Sequence, residues 1–236
     1  MIVLAPTVID ASGFESGAGG NELWREKFSH MVFNMQERVL LFSRYPEPGR
    51  TKKRLIDSLG AQGAAELQRR MTELAVEKGT QLARERRVSL SVYFEGGDSG
   101  LMEKWLGPGT YRPQGPGDLG ERMRCAFDRA FEEGAQRVII VGTDCPSLSV
   151  EIMAQALDRL QDHELVIGPA RDGGYYLIGL QKPLPQLFSN VPWGTDRVLA
   201  STLSRANRLD LSYLLLEKLS DVDRPSDLDV LFCEMP

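Results

Sequence analysis

The sequence predicts an α/β protein: a mostly parallel, mixed central sheet with helices on both faces. Three observations predict it. Short apolar runs alternate with segments whose apolar residues recur at helical spacing, the pattern of a parallel sheet covered on both sides. Loops carrying Gly, Pro or Asp follow the apolar runs, where open α/β sheets bind ligands. The length, 236 residues, suits one large α/β domain.

The regular pattern begins at Arg38. Val39–Phe42 is an apolar run that ends in a Pro/Gly-rich loop, Tyr45–Gly49, and reads as a buried strand. Leu67, Met71, Leu74, Ala75 and Leu82 fall on one face of a long helix. Val88–Phe94 is the next strand. Met123, Ala126, Phe127, Ala130 and Phe131 mark a second helix, which feeds a strand over Val138–Val141. Ser149 reads as the N-cap of a third helix that buries Ile152, Met153, Ala156, Leu157 and Leu160. Leu165–Gly168 and Tyr176–Leu180 are further strands. Thr195 is expected to cap a fourth helix, and a last strand is expected near Tyr213–Leu216. Residues 95–108 and 181–193 read as loops. Residues 1–36 lack a clean period and contain the Gly/Ser-rich stretch Ala11–Gly20. They are expected to form an appended, partly mobile extension to a single domain over 37–236, with Met31 or Met35 as alternative starts.

Composition narrows the function. A formal charge of -5 and the lack of a dense Lys/Arg stripe argue against a duplex nucleic-acid binder. The three cysteines, Cys125, Cys145 and Cys233, stand without CxxC pairing, which suits a reducing cytoplasm. No apolar run is long enough to span a bilayer, and no signal peptide is expected. With only His30 and His163 in the chain, most histidine-based acid–base and zinc chemistries fall away. His163 reads as a solvated turn residue.

Four segments could carry chemistry. In Val141–Leu148, Asp144 stands where an apolar strand runs out. A carboxylate there could hold a metal, a ribose or a phosphate-bound cation, or simply shape a turn. The segment Phe42–Leu55 leaves the first strand with Ser43 and Arg44, turns at Gly49, and gathers Arg50, Lys52, Lys53 and Arg54. A glycine-containing turn with clustered cations suits a polyphosphate, although GxxxxGK[ST] is absent. Asp172-Gly-Gly places a carboxylate beside a backbone that a ligand can approach closely. In Asp221-Val-Asp223, alternate carboxylates point one way if the segment is extended, and Pro225 opens a short helix with Asp227 in its first turn. A fifth segment, Gly115–Gly120, matches GxGxxG but lacks the apolar strand a dinucleotide fold needs, and Pro116 removes a donor. It reads instead as a loop offering backbone contacts from Gly117, Asp118 and Leu119.

Taken in order, Phe42–Gly49, Lys52–Leu55, Gly117–Met123, Gly142–Leu148, Gly168–Tyr176, Trp193–Thr195 and Asp221–Asp223 resemble the DUF2064 family. This is a glycosyltransferase-like family of GT-A fold, related to the molybdenum-cofactor and phospholactate guanylyltransferases. The resemblance implies one Rossmann-like nucleotide-binding domain using a nucleoside triphosphate or nucleotide-sugar with Mg²⁺ or Mn²⁺. It implies Asp144 as metal ligand and nucleotide contact, Asp223 as second metal ligand, and the Arg50–Arg54 segment as the phosphate contact. Where the family has Lys-Thr-Arg, this chain has Lys52-Lys53-Arg54.

The expected activity is metal-dependent transfer, with Lys52 and Arg54 stabilising the departing group and Asp172 orienting or deprotonating an acceptor. Glycosyl transfer and nucleotidyl transfer with pyrophosphate release need the same cradle. A nucleotide-binding accessory protein without catalysis is a further alternative. A dinucleotide oxidoreductase is a distant one.

Overall fold

The structure, a computed structural model, describes residues 36–228. Of the expected extension over 1–36, all but Gln36 lies outside the described residues, as do His30, Met31, Met35 and Cys233. The Gln36 carbonyl accepts from the backbone N–H of Gln136 and Arg137, so it opens the first strand's ladder.

The elements run β1 (Glu37–Arg44), α1 (Ile56–Glu85), β2 (Val88–Glu95), α2 (Ser99–Leu106), β3 (Tyr111–Pro113), α3 (Leu119–Glu132), β4 (Arg137–Gly142), α4 (Val150–Arg159), β5 (Leu165–Pro169), β6 (Tyr175–Leu180), α5 (Val198–Arg208) and β7 (Tyr213–Leu215). They build a seven-stranded sheet of order β3-β2-β1-β4-β6-β5-β7. β6 pairs antiparallel with both β4 and β5; the other pairings are parallel. The sheet is therefore mixed but mostly parallel, as the sequence predicts.

Strand periodicity divides the core. Val39 and Leu41 of β1, with Ile139 and Val141 of β4, pack with Leu82 of α1, Met102 of α2 and Leu157 of α4. The intervening Leu40, Phe42, Val138 and Ile140 pack with Phe127 of α3 and Ala206 of α5 on the other face. Both faces are covered, which is why Val39–Phe42 and Val138–Val141 are apolar at every position. A satellite cluster joins Leu55, Leu67 and Met71 to Val222, tying a late chain segment to α1.

Local signals explain most boundaries. Ser149 caps α4, its Oγ accepting from Ile152 N–H at 3.3 Å. Asp118 and Glu121 form a reciprocal capping box at the start of α3. Two expectations need correction, and one short strand was not expected. The 95–108 loop contains α2, capped by Asp98, which accepts from Leu101 N–H at 2.9 Å. Residues 111–113 form a short strand because β2 supplies a pairing edge. The fourth helix starts at Val198; Thr195 bonds the Arg197 amide in the preceding turn rather than capping the helix.

Candidate active site

A cavity of about 570 Å³ opens at the carboxyl ends of β1, β2 and β4, beside the start of β6. Its floor is a buried hydroxyl cluster. Ser43 at the end of β1 shares a 2.8 Å hydrogen bond with Thr72 of α1, and Gln68 donates to Thr72 at 3.1 Å and to Thr143 at 3.4 Å. These groups satisfy one another, which fixes the floor.

One wall rests on Lys52. The chain turns through Gly49 (φ 79°), and Lys52 itself takes the left-handed conformation at φ 46°, ψ 46°. Its side chain is only 3% exposed, whereas its partner Asp144 is 52% exposed. The Lys52 Nζ lies 2.8 Å from Asp144 Oδ1 and donates to the Val222 carbonyl at 2.7 Å. The Val222 N–H in turn donates to the Asp144 carbonyl at 2.9 Å. Val222 is fully buried, so the neighbouring Asp221 and Asp223 both reach the cavity as alternate residues of an extended segment.

The acidic residues here differ in their partners. Asp223 forms an ion pair with Arg54. Asp227 closes the segment, accepting from the N–H of Asp223 at 3.1 Å and of Arg224 at 2.7 Å. Asp221 and Asp172 have no basic partner among the described residues. Burial pushes the Asp221 carboxyl above its ordinary range, and the carboxylates of Asp172, Asp227 and Asp144 push it further. Asp172 is fixed by its own loop, accepting from Gly174 N–H at 2.8 Å. That loop is locked to the start of α5, where Leu199 N–H donates to the Gly173 carbonyl at 2.9 Å.

Across the cavity, Glu95 at the end of β2 gathers Arg44 at 2.7 Å and Arg122 at 3.2 Å. Burial alone would raise the Glu95 carboxyl, but the two guanidinium groups outweigh it and hold it below the usual range. Gln114 donates to the carbonyls of Ser43 and Tyr93 at 3.0 and 3.1 Å and accepts from Arg122 at 3.1 Å. Trp193 and Tyr175 close the remaining side in an edge-to-face pair, ring centroids 6.4 Å apart.

The DUF2064 family model, described as an uncharacterised protein conserved in bacteria, matches residues 75–195, just over half of the sequence. The chain belongs to this family. A crystal structure from Desulfovibrio desulfuricans G20, provisionally named a nucleotide-diphospho-sugar transferase, is similar to this DUF2064 chain at 37% identity and TM-score 0.78. The match covers 84% of this chain and 86% of that one. The 4-diphosphocytidyl-2C-methyl-D-erythritol synthase of Anaerococcus prevotii DSM 20548 shares the fold at 12% identity and TM-score 0.54, over 86% of this chain and 97% of that one. A Mycobacterium tuberculosis H37Rv protein does so at 16% identity and TM-score 0.53, over 83% and 97%. No curated protein matches in sequence.

The DUF2064 cavity brings together Ser43, Arg44, Lys52, Arg54, Leu119, Asp144, Asp172 and Asp223 from the expected set. Ser43 reaches it through the floor cluster, its hydroxyl engaged with Thr72. Gly49, Arg50, Gly117 and Asp118 do not line it. Arg50 turns to Glu47 at 3.2 Å, and Asp118 spends its carboxylate on the Glu121 amide. Sequence reasoning missed Glu95, Gln114 and Arg122. Glu95 carries the same signal as Asp144, a carboxylate where a strand ends. His163 sits in the turn between α4 and β5, half-buried and not among the cavity's lining residues.

The donor set suits a hard divalent cation. The cavity's carboxylates supply oxygen ligands, and the Cys145 thiol is engaged with the Ser220 carbonyl at 3.1 Å. No three acidic, histidine or cysteine side chains among the described residues converge as a ready-made metal cage. An ion here would be held by one or two carboxylates and completed by substrate phosphates. Arg54 already engages Asp223, so the carboxylates best disposed to accept an ion are Asp144, whose Oδ1 alone meets Lys52, and Asp221.

Proposed function

We propose that this DUF2064 protein is a metal-dependent transferase whose donor is a nucleotide-sugar, with a nucleoside triphosphate as the alternative donor. The observation that carries the reading is Asp144. It stands at the carboxyl end of β4, half exposed to the cavity, with one oxygen fixed by a buried lysine. The relative named as a nucleotide-diphospho-sugar transferase supports it at 37% identity.

In this reading Asp144 and Asp221, with Asp223 near, hold Mg²⁺ or Mn²⁺. When bound, the ion neutralises charge on the donor's diphosphate. The chain's own residues do the rest. The Lys52–Arg54 segment gives the phosphates a positive wall. Lys52 keeps Asp144 oriented. Asp172, with one oxygen fixed by Gly174, positions an acceptor hydroxyl and takes its proton. Among the described residues no histidine lines the cavity, so the base is a carboxylate. The acceptor oxygen attacks the sugar's anomeric carbon, and a nucleoside diphosphate leaves. If the donor is a triphosphate, attack falls on the α-phosphorus and pyrophosphate leaves.

We infer a cytoplasmic setting from the three scattered cysteines, Cys125, Cys145 and Cys233, whose lack of CxxC pairing suits a reducing compartment. No described helix is long and apolar enough to cross a membrane. The test is a thermal-shift panel of nucleotides and nucleotide-sugars with and without Mn²⁺, since a ligand that binds the native state raises its melting temperature. Metal-dependent shifts that vanish in Asp144→Ala are expected; retention of both binding and metal dependence in that variant overturns the assignment. Product analysis then separates nucleoside diphosphate from pyrophosphate release.

A further inference from the structure

The cations of the basic loop have separate tasks. Arg50 pairs with Glu47, is 75% exposed, and points away from the cavity lining. Lys52 is buried between Asp144 and the Val222 carbonyl. Arg54 is shared with Asp223. Lys53 lies between these two, is exposed, and lines the cavity. Among the described residues no carboxylate is paired to it. Lys52 is left-handed at φ 46° with its side chain turned inward, whereas Lys53 beside it is exposed.

We propose that Lys53 is the residue that meets the donor's phosphates, and that Lys52 is an internal counter-ion. The inference rests on the nucleotide-donor reading above. For Lys52 to bind a phosphate it must leave both Asp144 and the Val222 carbonyl, stranding a carbonyl whose residue is fully buried. Lys53 gives up nothing.

Calorimetric titration of the full chain with inorganic pyrophosphate and with UDP and GDP, each with Mg²⁺, tests this. In Lys53→Met and Lys53→Thr, affinity for all three is expected to fall about tenfold, the scale of one charged hydrogen bond. The melting temperature should stay at the wild-type value, and the loss should shrink in high salt. Arg54→Met, whose guanidinium is shared with Asp223, should lose less. Lys52→Met should lower the melting temperature or fail to fold, either of which fits an internal counter-ion. Wild-type affinity in Lys53→Met, or a stably folded Lys52→Met with tenfold weaker pyrophosphate binding, overturns the proposal and leaves the donor reading standing. If the wild-type chain binds none of the three, the donor reading falls and takes this inference with it.

Discussion

Asp172 and Asp221 face one cavity with no basic residue among the described residues paired to either, and the Asp172 charge adds to burial in raising the Asp221 carboxyl. A group whose folded pKa is raised favours the fold when protonated. That contribution is complete below the ordinary aspartate value of 3.8 and is lost as pH rises through the raised one. At neutral pH the ionised Asp221 therefore works against folding. Asp221→Asn should be more stable than wild type at pH 7, with the difference closing in acid below 3.8. Urea denaturation at both pH values checks it. Added Mg²⁺ should stabilise the wild type more than Asp221→Asn.

Gly173 is held where no side chain fits. Its φ is +91°, and a Cβ would fall 2.1 Å from the Asp196 carbonyl oxygen, which is backbone and cannot swing aside. Gly173→Ala should cost about 3 kcal/mol or more, combining left-handed strain with a forced shift of the α5 entry. Gly49→Ala is the control. Its φ is +79° with nothing within 4 Å of the added atom, so it should cost only about 1 kcal/mol of strain. Equal losses in denaturant unfolding would refute the packing account.

Gly120 supports the aromatic wall. A Cβ there would sit 2.6 Å from both Cζ2 and Nε1 of Trp193, so the indole lies flat against the first turn of α3. Gly120→Ala should displace Trp193 at a cost of about 1–3 kcal/mol, typical of overpacking. The accompanying signal is a change in tryptophan emission. That change should be absent in a Gly120→Ala, Trp193→Phe double variant compared with Trp193→Phe alone.

At the opposite end of the sheet, Glu37 lies between Arg86 at 2.7 Å and Arg137 at 3.0 Å, its side chain 8% exposed. Burial alone would raise its carboxyl, but hydrogen bonds from Arg86 and Arg137 outweigh burial and hold it low. A depressed carboxyl stabilises the fold above the ordinary value of 4.5, and the contribution drains away as pH falls towards the depressed one. Glu37→Gln should lose about 3 kcal/mol at pH 7, because Arg137 is left without its carboxylate while Arg86 keeps only Asp158, at 2.7 Å. Its deficit relative to wild type should narrow on acidification below pH 4.5, followed by equilibrium unfolding.

Much of this was legible without coordinates. Val39–Phe42 and Val138–Val141 announced buried strands because strands covered on both faces need apolar residues throughout. Ser149 announced a helix start. Asp98, followed by Leu101, Met102 and Trp105, carried the same kind of signal for α2, but the helix is short and sits in a polar stretch. Tyr111–Pro113 had no internal signal, since it is a strand only through its pairing with β2. In the cavity, Asp144 and Asp172 could be read from their positions after strands. Glu95 occupies an equivalent position, yet its partner Arg122 becomes visible only when α3 packs beside β2.

The sequence by itself determined the strands other than β3, most helices and the carboxylates that end at one edge of the sheet. These follow from period, capping and turn chemistry, which act over a few residues. Only the tertiary structure decided which charge meets which. Lys52 and the Val222 carbonyl lie 170 positions apart in the chain, and the burial of Val222 against Leu55, Leu67 and Met71 brings them together. A basic loop that reads as four equivalent cations thereby becomes one outward pair, one internal counter-ion, one shared guanidinium and one uncommitted lysine. Packing made that division, because a local sequence pattern carries no information about a partner supplied by the far end of the chain.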